Sequence, residues 1–96
     1  MDVLFLEVAQ QELDEAIDYY NFESSGLGKT FLEEILSTLR LILNHPEAWA
    51  PCSKRTRRCL TQKFPYGIIY QVREAEILII AISHLHRKPN YWKNRV

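Results

Sequence analysis

The residues of this chain that are able to do chemistry lie mostly in its second half. His84, Arg87 and Tyr91 follow one another closely near the C-terminus, and Arg58 and Lys63 precede them. Metal-free RNA cleavage needs one group to accept the 2′-hydroxyl proton, another to protonate the leaving oxygen, and cations for the pentacovalent phosphate. Histidine titrates near neutrality, and a lysine or tyrosine can serve when its pKa is perturbed. These five residues are therefore the candidate catalytic set if the protein is a nuclease.

That set is incomplete as an acid–base system. Between Ala48 and Arg73 there is no aspartate or glutamate. A nuclease built on this chain would have to use histidine, lysine or tyrosine as its base, because no carboxylate accompanies the candidate cations. A function that depends on binding therefore has to be weighed beside catalysis.

A basic segment with interleaved aromatic residues closes the chain. Arg87, Lys88, Lys93 and Arg95 alternate there with aromatic side chains, a composition that suits nucleic-acid phosphates, an acidic protein segment or plain solubility. The candidate residues for binding a target or partner carry a positive charge, an imidazole or an aromatic ring: Arg57, Arg58, His86, Arg87, Lys88, Tyr91 and Trp92.

Each of these residues also has a purely structural interpretation, which stays open. Arg57 and Arg58 are equally well explained as solvated charges that discourage edge pairing of strands. Tyr91 and Trp92 suit base stacking or anchoring of the tail to the sheet. His84 and His86 share one face of a strand end, but no third ligand lies near them in sequence, so we predict neither a metal site nor a cofactor.

Cysteine content and hydropathy bound the cellular setting. Cys52 and Cys59 are too few for a disulfide framework and lack zinc-site spacing, so two free thiols are expected. The longest apolar run, Ile77 to Ile82, is far shorter than the roughly 20 residues that span a bilayer. The N-terminus begins with an acid and has no basic region typical of a signal peptide. We expect a cytoplasmic protein without membrane attachment.

The formal net charge is zero, but the charges are divided between the two halves of the chain. Residues 1–48 hold ten acidic side chains against Lys29 and Arg40, a net charge of −8. Residues 49–96 hold ten basic side chains against Glu74 and Glu76, a net charge of +8. Such a division indicates a surface that meets an anionic partner.

Hydrophobic periodicity predicts the elements that position these residues. A short strand over 3–8 precedes an amphipathic helix from about Ala9 to Ser24, whose apolar residues recur at helical spacing. After a break at 25–28, a second apolar stripe from Phe31 to Leu43 predicts a helix that Pro46 ends. The remainder reads as a loop over 46–55, strands over 57–64, 68–73 and 76–83, and a tail from His84 to Val96 without clear period.

These elements predict an α+β fold in which one domain occupies residues 1–96. The order is β-α-α-β-β-β, with a helical hairpin packed on one face of a small, mostly antiparallel sheet. The acidic helix faces are expected to point away from the sheet. The opposite sheet face, together with the tail, is expected to collect the positive charge.

The element order and two motifs resemble those of the RelE/ParE superfamily of toxins from type II toxin–antitoxin systems. The first motif is Arg57-Arg58-x5-Phe64-Pro65-Tyr66, leading into Ile69-Tyr70-x-Val72. The second, Ser83-His84-x-His86-Arg87-Lys88-Pro89-x-Tyr91-Trp92, looks like the ending of ParE-like, "plasmid stabilisation" members. Many such toxins are basic overall, whereas this chain is balanced because its helices are acidic.

The resemblance implies a small growth-inhibiting toxin that a cognate antitoxin neutralises. RelE-like members cut mRNA in the ribosome, and ParE-like members poison DNA gyrase. The tail motif and the incomplete acid–base set favour the ParE-like branch with gyrase as target. A ribosome-dependent endoribonuclease is the alternative, and an inactive toxin-like binding module is a third, so whether the protein is an enzyme stays open.

Overall fold

Two helices and a five-stranded sheet make up the fold in the computed structural model, which describes all 96 residues. The helices are α1, Glu7–Glu23, and α2, Leu27–Asn44. The strands are β1, Asp2–Phe5; β2, Ala50–Pro51; β3, Arg57–Leu60; β4, Tyr66–Val72; and β5, Glu76–His84; a short 3₁₀ turn spans Lys93–Arg95. The predicted α+β architecture and the order of its predicted elements are confirmed, with β2 added inside the segment predicted as a loop.

The strands are arranged in the order β1-β5-β4-β3-β2. β1 pairs in parallel with β5, and all other neighbours are antiparallel. β5 is the most apolar strand and lies inside the sheet, as its composition predicts. Its partner β1 is short, so the last part of β5 has no strand on that side.

Two predicted strands end earlier than the periodicity suggested, each because specific hydrogen bonds end it. The first stops at Phe5 because Leu6 both bonds to β5 and begins α1: its N–H donates to Ile79 and its carbonyl accepts from Gln10, each at 3.0 Å. The predicted strand over 57–64 ends at Leu60. Its continuation is a turn, where the Thr61 hydroxyl donates to the Phe64 carbonyl at 2.6 Å.

A glutamate of α2 holds that turn in place. The Glu34 carboxylate accepts the backbone N–H groups of Lys63 at 2.6 Å and Phe64 at 3.1 Å. Hydrogen bonds from backbone donors to a carboxylate are charge-assisted and stronger than neutral ones. One member of the acidic helical half is therefore used inside the fold and does not simply face water.

The helices cover one face of the sheet. Their apolar stripe packs on alternate residues of β4 and β5, with Phe31, Ile35, Ile42, Ile68 and Ile77 among the side chains that are fully buried. Burial of each large apolar side chain contributes about 1.5–3 kcal/mol before conformational entropy is counted. At one end, the rings of Tyr20, Phe31, Phe64 and Tyr66 meet edge to face or tilted, with centroids 4.8–6.3 Å apart.

The other face of the sheet carries a smaller core that the C-terminal tail covers. Trp92, only 4% exposed, packs against Ile69, Leu78, Ile80 and Ala81. The tail predicted to lack regular structure is therefore docked, and its tryptophan has the anchoring role. The prediction that this face collects positive charge holds only at its two ends, because its centre is apolar.

Candidate functional site

A small cleft lies on the tail-covered face, where the end of β5 meets the segment that follows it. It encloses about 120 Å³. Arg58 from β3, His84 from the end of β5, and Arg87 and Lys88 from the following turn line it, with Trp92 nearby. A cleft of this size is below the roughly 300 Å³ of small-molecule pockets. It is therefore better suited to contact with the surface of a macromolecule than to enclosing a ligand.

Arg58 is the most available cation of this cleft. Its side chain is exposed and has no carboxylate or hydrogen-bond partner in the structure. Its aliphatic part lies over Gly67 on the neighbouring strand, where a Cβ atom would approach Arg58 Cγ and Cδ to 3.2 Å. The absence of a side chain at Gly67 thus gives Arg58 room to lie across the sheet.

Glu12 of α1 is the residue that sequence reasoning missed. Arg95 donates to both of its oxygens at 2.9 Å, and Tyr91 Oη donates to Oε2 at 2.7 Å. Arg87 donates to the same oxygen at 3.2 Å. We call these four residues the Glu12 cluster. Glu12 was expected on the solvated face of α1, but its side chain is only 9% exposed and faces the sheet edge.

The Glu12 cluster also completes the edge of β5 that β1 leaves open. The N–H of Ile82 donates to Glu12 Oε1 at 3.1 Å, and Arg95 donates to the carbonyl of Ile80 at 3.0 Å. Buried backbone groups need such partners, since leaving one unpaired costs about 1–3 kcal/mol. An ion pair between helix and tail therefore substitutes for a missing strand.

Two guanidinium groups lie close to the ring of Tyr91. The Cζ atoms of Arg87 and Arg95 lie 3.8 and 5.0 Å from the centroid of its ring. Burial raises the pKa of Tyr91, and its hydrogen bond to Glu12 raises it further. The hydroxyl thus stays protonated and is occupied as a donor, which is the opposite of what a general base requires.

The neutral ring of His84 carries its proton on Nε2. Its Nδ1 accepts the backbone N–H of His86 at 3.1 Å, which places the proton of the neutral ring on Nε2. Its ring also packs against Tyr66, with centroids 5.0 Å apart. Burial, followed by the nearby charge of His86, lowers the pKa of His84. Neutral His84 therefore offers a hydrogen-bond donor at Nε2 and no free acceptor there.

The lowered pKa of His84 can be checked by NMR. In a histidine titration, we expect His84 to titrate below its ordinary value of 6.5. His86→Asn should move this midpoint upward without reaching 6.5, because the positive charge at residue 86 is lost while burial of His84 remains. His45→Asn, far along the chain, is the control. An unchanged midpoint in the His86 variant would contradict the electrostatic contribution.

Several predicted site residues do not reach the cleft. Arg57 lies on the helix side of β3, since neighbouring strand residues face opposite ways, and it donates to the Trp49 carbonyl at 2.8 Å. Lys63 lies in the turn that Glu34 holds. His86 is exposed, with its ring 5.0 Å from that of His84. The structure thus brings together Arg58, His84, Arg87, Lys88 and Trp92 at the cleft and leaves Arg57 and Lys63 apart.

The geometry limits what the cleft can do chemically. Its cations are able to bind anions, but its one histidine, His84, has its acceptor nitrogen occupied. The other candidate proton carrier, Tyr91, belongs to the Glu12 cluster and donates its hydroxyl proton to Glu12. No group of three His, Cys, Asp or Glu side chains is arranged to hold a metal ion. Cys52 and Cys59 are free and lie on opposite faces of the sheet. No helix is long and apolar enough to cross a membrane.

Comparisons with known proteins agree with this architecture. Residues 3–89 match the family described as the ParE toxin of type II toxin–antitoxin system, parDE. Among solved structures, the chain is similar to one titled "Chromosomal ParDE TA system from P. aeruginosa", with a TM-score of 0.78 and 17% identity. The similarity covers 90% of this chain and 97% of that one and supports the fold. A search of curated proteins found no match.

Proposed function

Because this chain belongs to the ParE toxin family of type II toxin–antitoxin systems, we propose that it inhibits growth by binding DNA gyrase in the cytoplasm and that a cognate antitoxin neutralises it. The observation that carries this proposal is the contrast between side chains that are free and side chains that are already paired. Arg58 and Lys88 are free to contact a partner, whereas Tyr91 and Arg87 are engaged by Glu12. The site is therefore equipped for binding and lacks a convergent acid–base pair.

The charges around the cleft favour an acidic protein surface as its partner. Arg58, Arg87 and Lys88 line the cleft, and no carboxylate lines it with them. Electrostatic attraction of this kind accelerates association more than it strengthens the final complex. We infer that the antitoxin covers this surface, as the description of the similar solved structure as a ParDE system also suggests.

A supercoiling assay with the purified chain and DNA gyrase tests the target. We expect the wild-type protein to inhibit supercoiling and to leave ribosome-bound mRNA intact. The variant Arg58→Glu/Lys88→Glu should need about tenfold more protein for the same inhibition, because reversed charges at an interface slow association and repel an acidic partner. Both side chains are exposed and unpaired, so the variant should fold normally.

Arg40→Glu/Lys29→Glu is the matched control, since it makes the same change of charge on the exposed side of α2. Equal loss in both variants would mean that net charge, and not the cleft, decides inhibition. Cleavage of ribosome-bound mRNA with supercoiling unaffected would overturn the gyrase proposal in favour of a nuclease. If growth, supercoiling and RNA are all unaffected, the chain is a binding module without toxicity.

A further inference from the structure

A second concave surface, larger than the cleft, lies at the opposite end of the sheet. It is formed by the connection between β2 and β3 and by the end of β4, and it encloses about 720 Å³. We call it the hairpin groove. Lys54, Arg55, Arg57 and Arg73 line it, and Glu47 is its only acidic residue. No part of the cleft around Arg58 contributes to it.

Most of the positive charge of the hairpin groove is uncompensated. Lys54 and Arg55 are exposed and have no carboxylate partner. Arg73 reaches Glu76 only at 4.0 Å, with about half of its side chain exposed. An exposed pair at that distance contributes little and leaves the guanidinium available. Arg57 is partly used, since it holds the Trp49 carbonyl.

The floor of the hairpin groove presents further donors. Gln71 is nearly buried, and its Oε1 accepts from Arg73 Nε at 2.8 Å, which leaves the amide Nε2 as the available group. The exposed Ser53 also lines the groove, and its hydroxyl is hydrogen-bonded at 2.6 Å to that of the buried Thr56. A surface with several cations, an amide donor and a single carboxylate is suited to oxyanions.

The composition of the lining also distinguishes between kinds of anionic partner. Pro51 and Val72 are the only apolar residues in it, and it contains no aromatic side chain. Protein segments bind through buried apolar or aromatic anchors, for which the groove has no pocket. Base stacking needs aromatic platforms, which are also absent. The groove is therefore suited to contact with the charged backbone of a polymer, a contact that does not depend on the sequence of that polymer.

The basic surface extends beyond the groove itself. Lys54, Arg55, Gln71 and Arg73 also line an adjoining depression that continues to Lys93 and Val96 of the tail. Trp92 lies at this depression too, but it is only 4% exposed and offers no free ring face for stacking. The cations therefore form a band along the sheet end and do not surround a single point. A band of cations suits a polymer of regularly spaced phosphates better than a single inorganic ion.

We propose that the hairpin groove binds the sugar–phosphate backbone of a nucleic acid through Lys54, Arg55 and Arg73. This site is separate from the cleft assigned to gyrase and antitoxin, and it stands whether or not gyrase is the target. The formal net charge of the whole chain is zero at neutral pH. Attraction to nucleic acid therefore depends on this local band and not on net charge.

Fluorescence anisotropy with labelled nucleic acid tests the proposal. The probes are a duplex DNA of about 20 base pairs, in which counterion release is well described, and a single-stranded RNA of the same length. We expect binding that weakens with salt, with a log–log slope of about −2 to −3 for the duplex, since neutralising each phosphate contributes about −0.9. The two probes distinguish which kind of backbone is preferred.

The variant Lys54→Glu/Arg55→Glu should weaken binding at least about tenfold at low salt and make the slope shallower by about 2, because two phosphate contacts are lost. Lys29→Glu/Arg40→Glu is the control with equal charge change on α2, and it should stay within about threefold of wild type. Thermal melting of both variants establishes that they are folded.

Two outcomes would overturn the proposal. If both double variants lose binding equally, the groove has no special role and general charge explains the interaction. If a polyglutamate peptide binds the wild-type chain more tightly than either nucleic acid at the same salt, and the Lys54/Arg55 variant loses that binding, the groove is a site for an acidic protein. Gyrase inhibition is measured separately, so failure here leaves the proposed function untouched.

Discussion

Glu12→Ala is expected to lower the free energy of unfolding by about 3 kcal/mol, the usual cost of removing one partner from a buried ion pair. Glu12 accepts from Arg95, Tyr91, Arg87 and the N–H of Ile82, and its side chain is 9% exposed. The substitution removes the acceptor for all four groups at once. For a chain of this length, such a loss corresponds to a fall in Tm of more than about 10 °C.

Chemical denaturation of the purified variants measures this effect. Asp18→Ala, an exposed acidic residue on the same helix, is the control and should change stability by less than about 0.5 kcal/mol. Glu12→Gln retains one oxygen for the Ile82 N–H but loses the two-pronged pairing with Arg95, so an intermediate loss is expected. Equal stability of Glu12→Ala and Asp18→Ala would show that the cluster contributes nothing.

A double-mutant cycle separates the Glu12–Arg95 pair from the rest of the cluster. Arg95 contacts both carboxylate oxygens at 2.9 Å, and only 17% of its side chain is exposed. The coupling energy of Glu12→Ala with Arg95→Ala should therefore exceed about 1 kcal/mol. The same cycle with Arg87, whose side chain is 52% exposed, should give a clearly smaller value. Amide exchange at Ile82 should accelerate in Glu12→Ala, since its acceptor is lost.

The second large effect is expected at Gly28, in the first turn of α2. A Cβ atom there would lie 2.5 Å from the carbonyl oxygen of Ile17 and 2.6 Å from Cγ of Asn21. The Asn21 side chain is itself held, because its Oδ1 accepts the N–H of Gly28 at 2.8 Å. The contact with Ile17 is to the backbone, so no rotation of a side chain relieves it.

Gly28→Ala should therefore destabilise the protein by about 2–3 kcal/mol, the usual cost of overpacking a close contact. The higher helix propensity of alanine offsets up to about 1 kcal/mol, and the estimate for Gly28→Ala already includes this offset. Lys29→Ala, the next and exposed residue, is the control and should be close to neutral. Thermal melting distinguishes the two variants. If Gly28→Ala has the same melting temperature as the wild type, the two helices can move apart at this contact with little loss of free energy.

The sheet and helices were predictable because their cause is local. The apolar stripe of α2 and the continuous apolar run of β5 reflect burial on one face or on both, and both were found in sequence. Boundaries were less accurate. The strand over 57–64 stops at Leu60 because the Thr61 hydroxyl and Glu34 bind the turn, and the second of these contacts comes from another element.

The residues of the candidate site were predictable from the sequence, but their hydrogen-bond partners were not. Arg58, His84, Arg87, Lys88 and Trp92 do meet at one cleft, and the basic second half of the chain does provide it. The pairing of Arg87 and Tyr91 with Glu12 was not foreseen, because it joins residues about 75 positions apart. The hairpin groove was missed for a similar reason, since Lys54 and Arg73 become neighbours only through strand pairing.

By itself, the sequence determined the α+β fold, the family and the division of charge into an acidic and a basic half. The fold class and the division of charge depend on composition and on hydrophobic spacing along the chain, whereas the family follows from the resemblance of two sequence motifs. Tertiary structure alone decided which charges are free. Glu12 faces the sheet because β1 ends early and leaves the N–H of Ile82 without a partner. Its carboxylate thereby engages the tail, while Arg58 and the hairpin groove keep their charge for a partner.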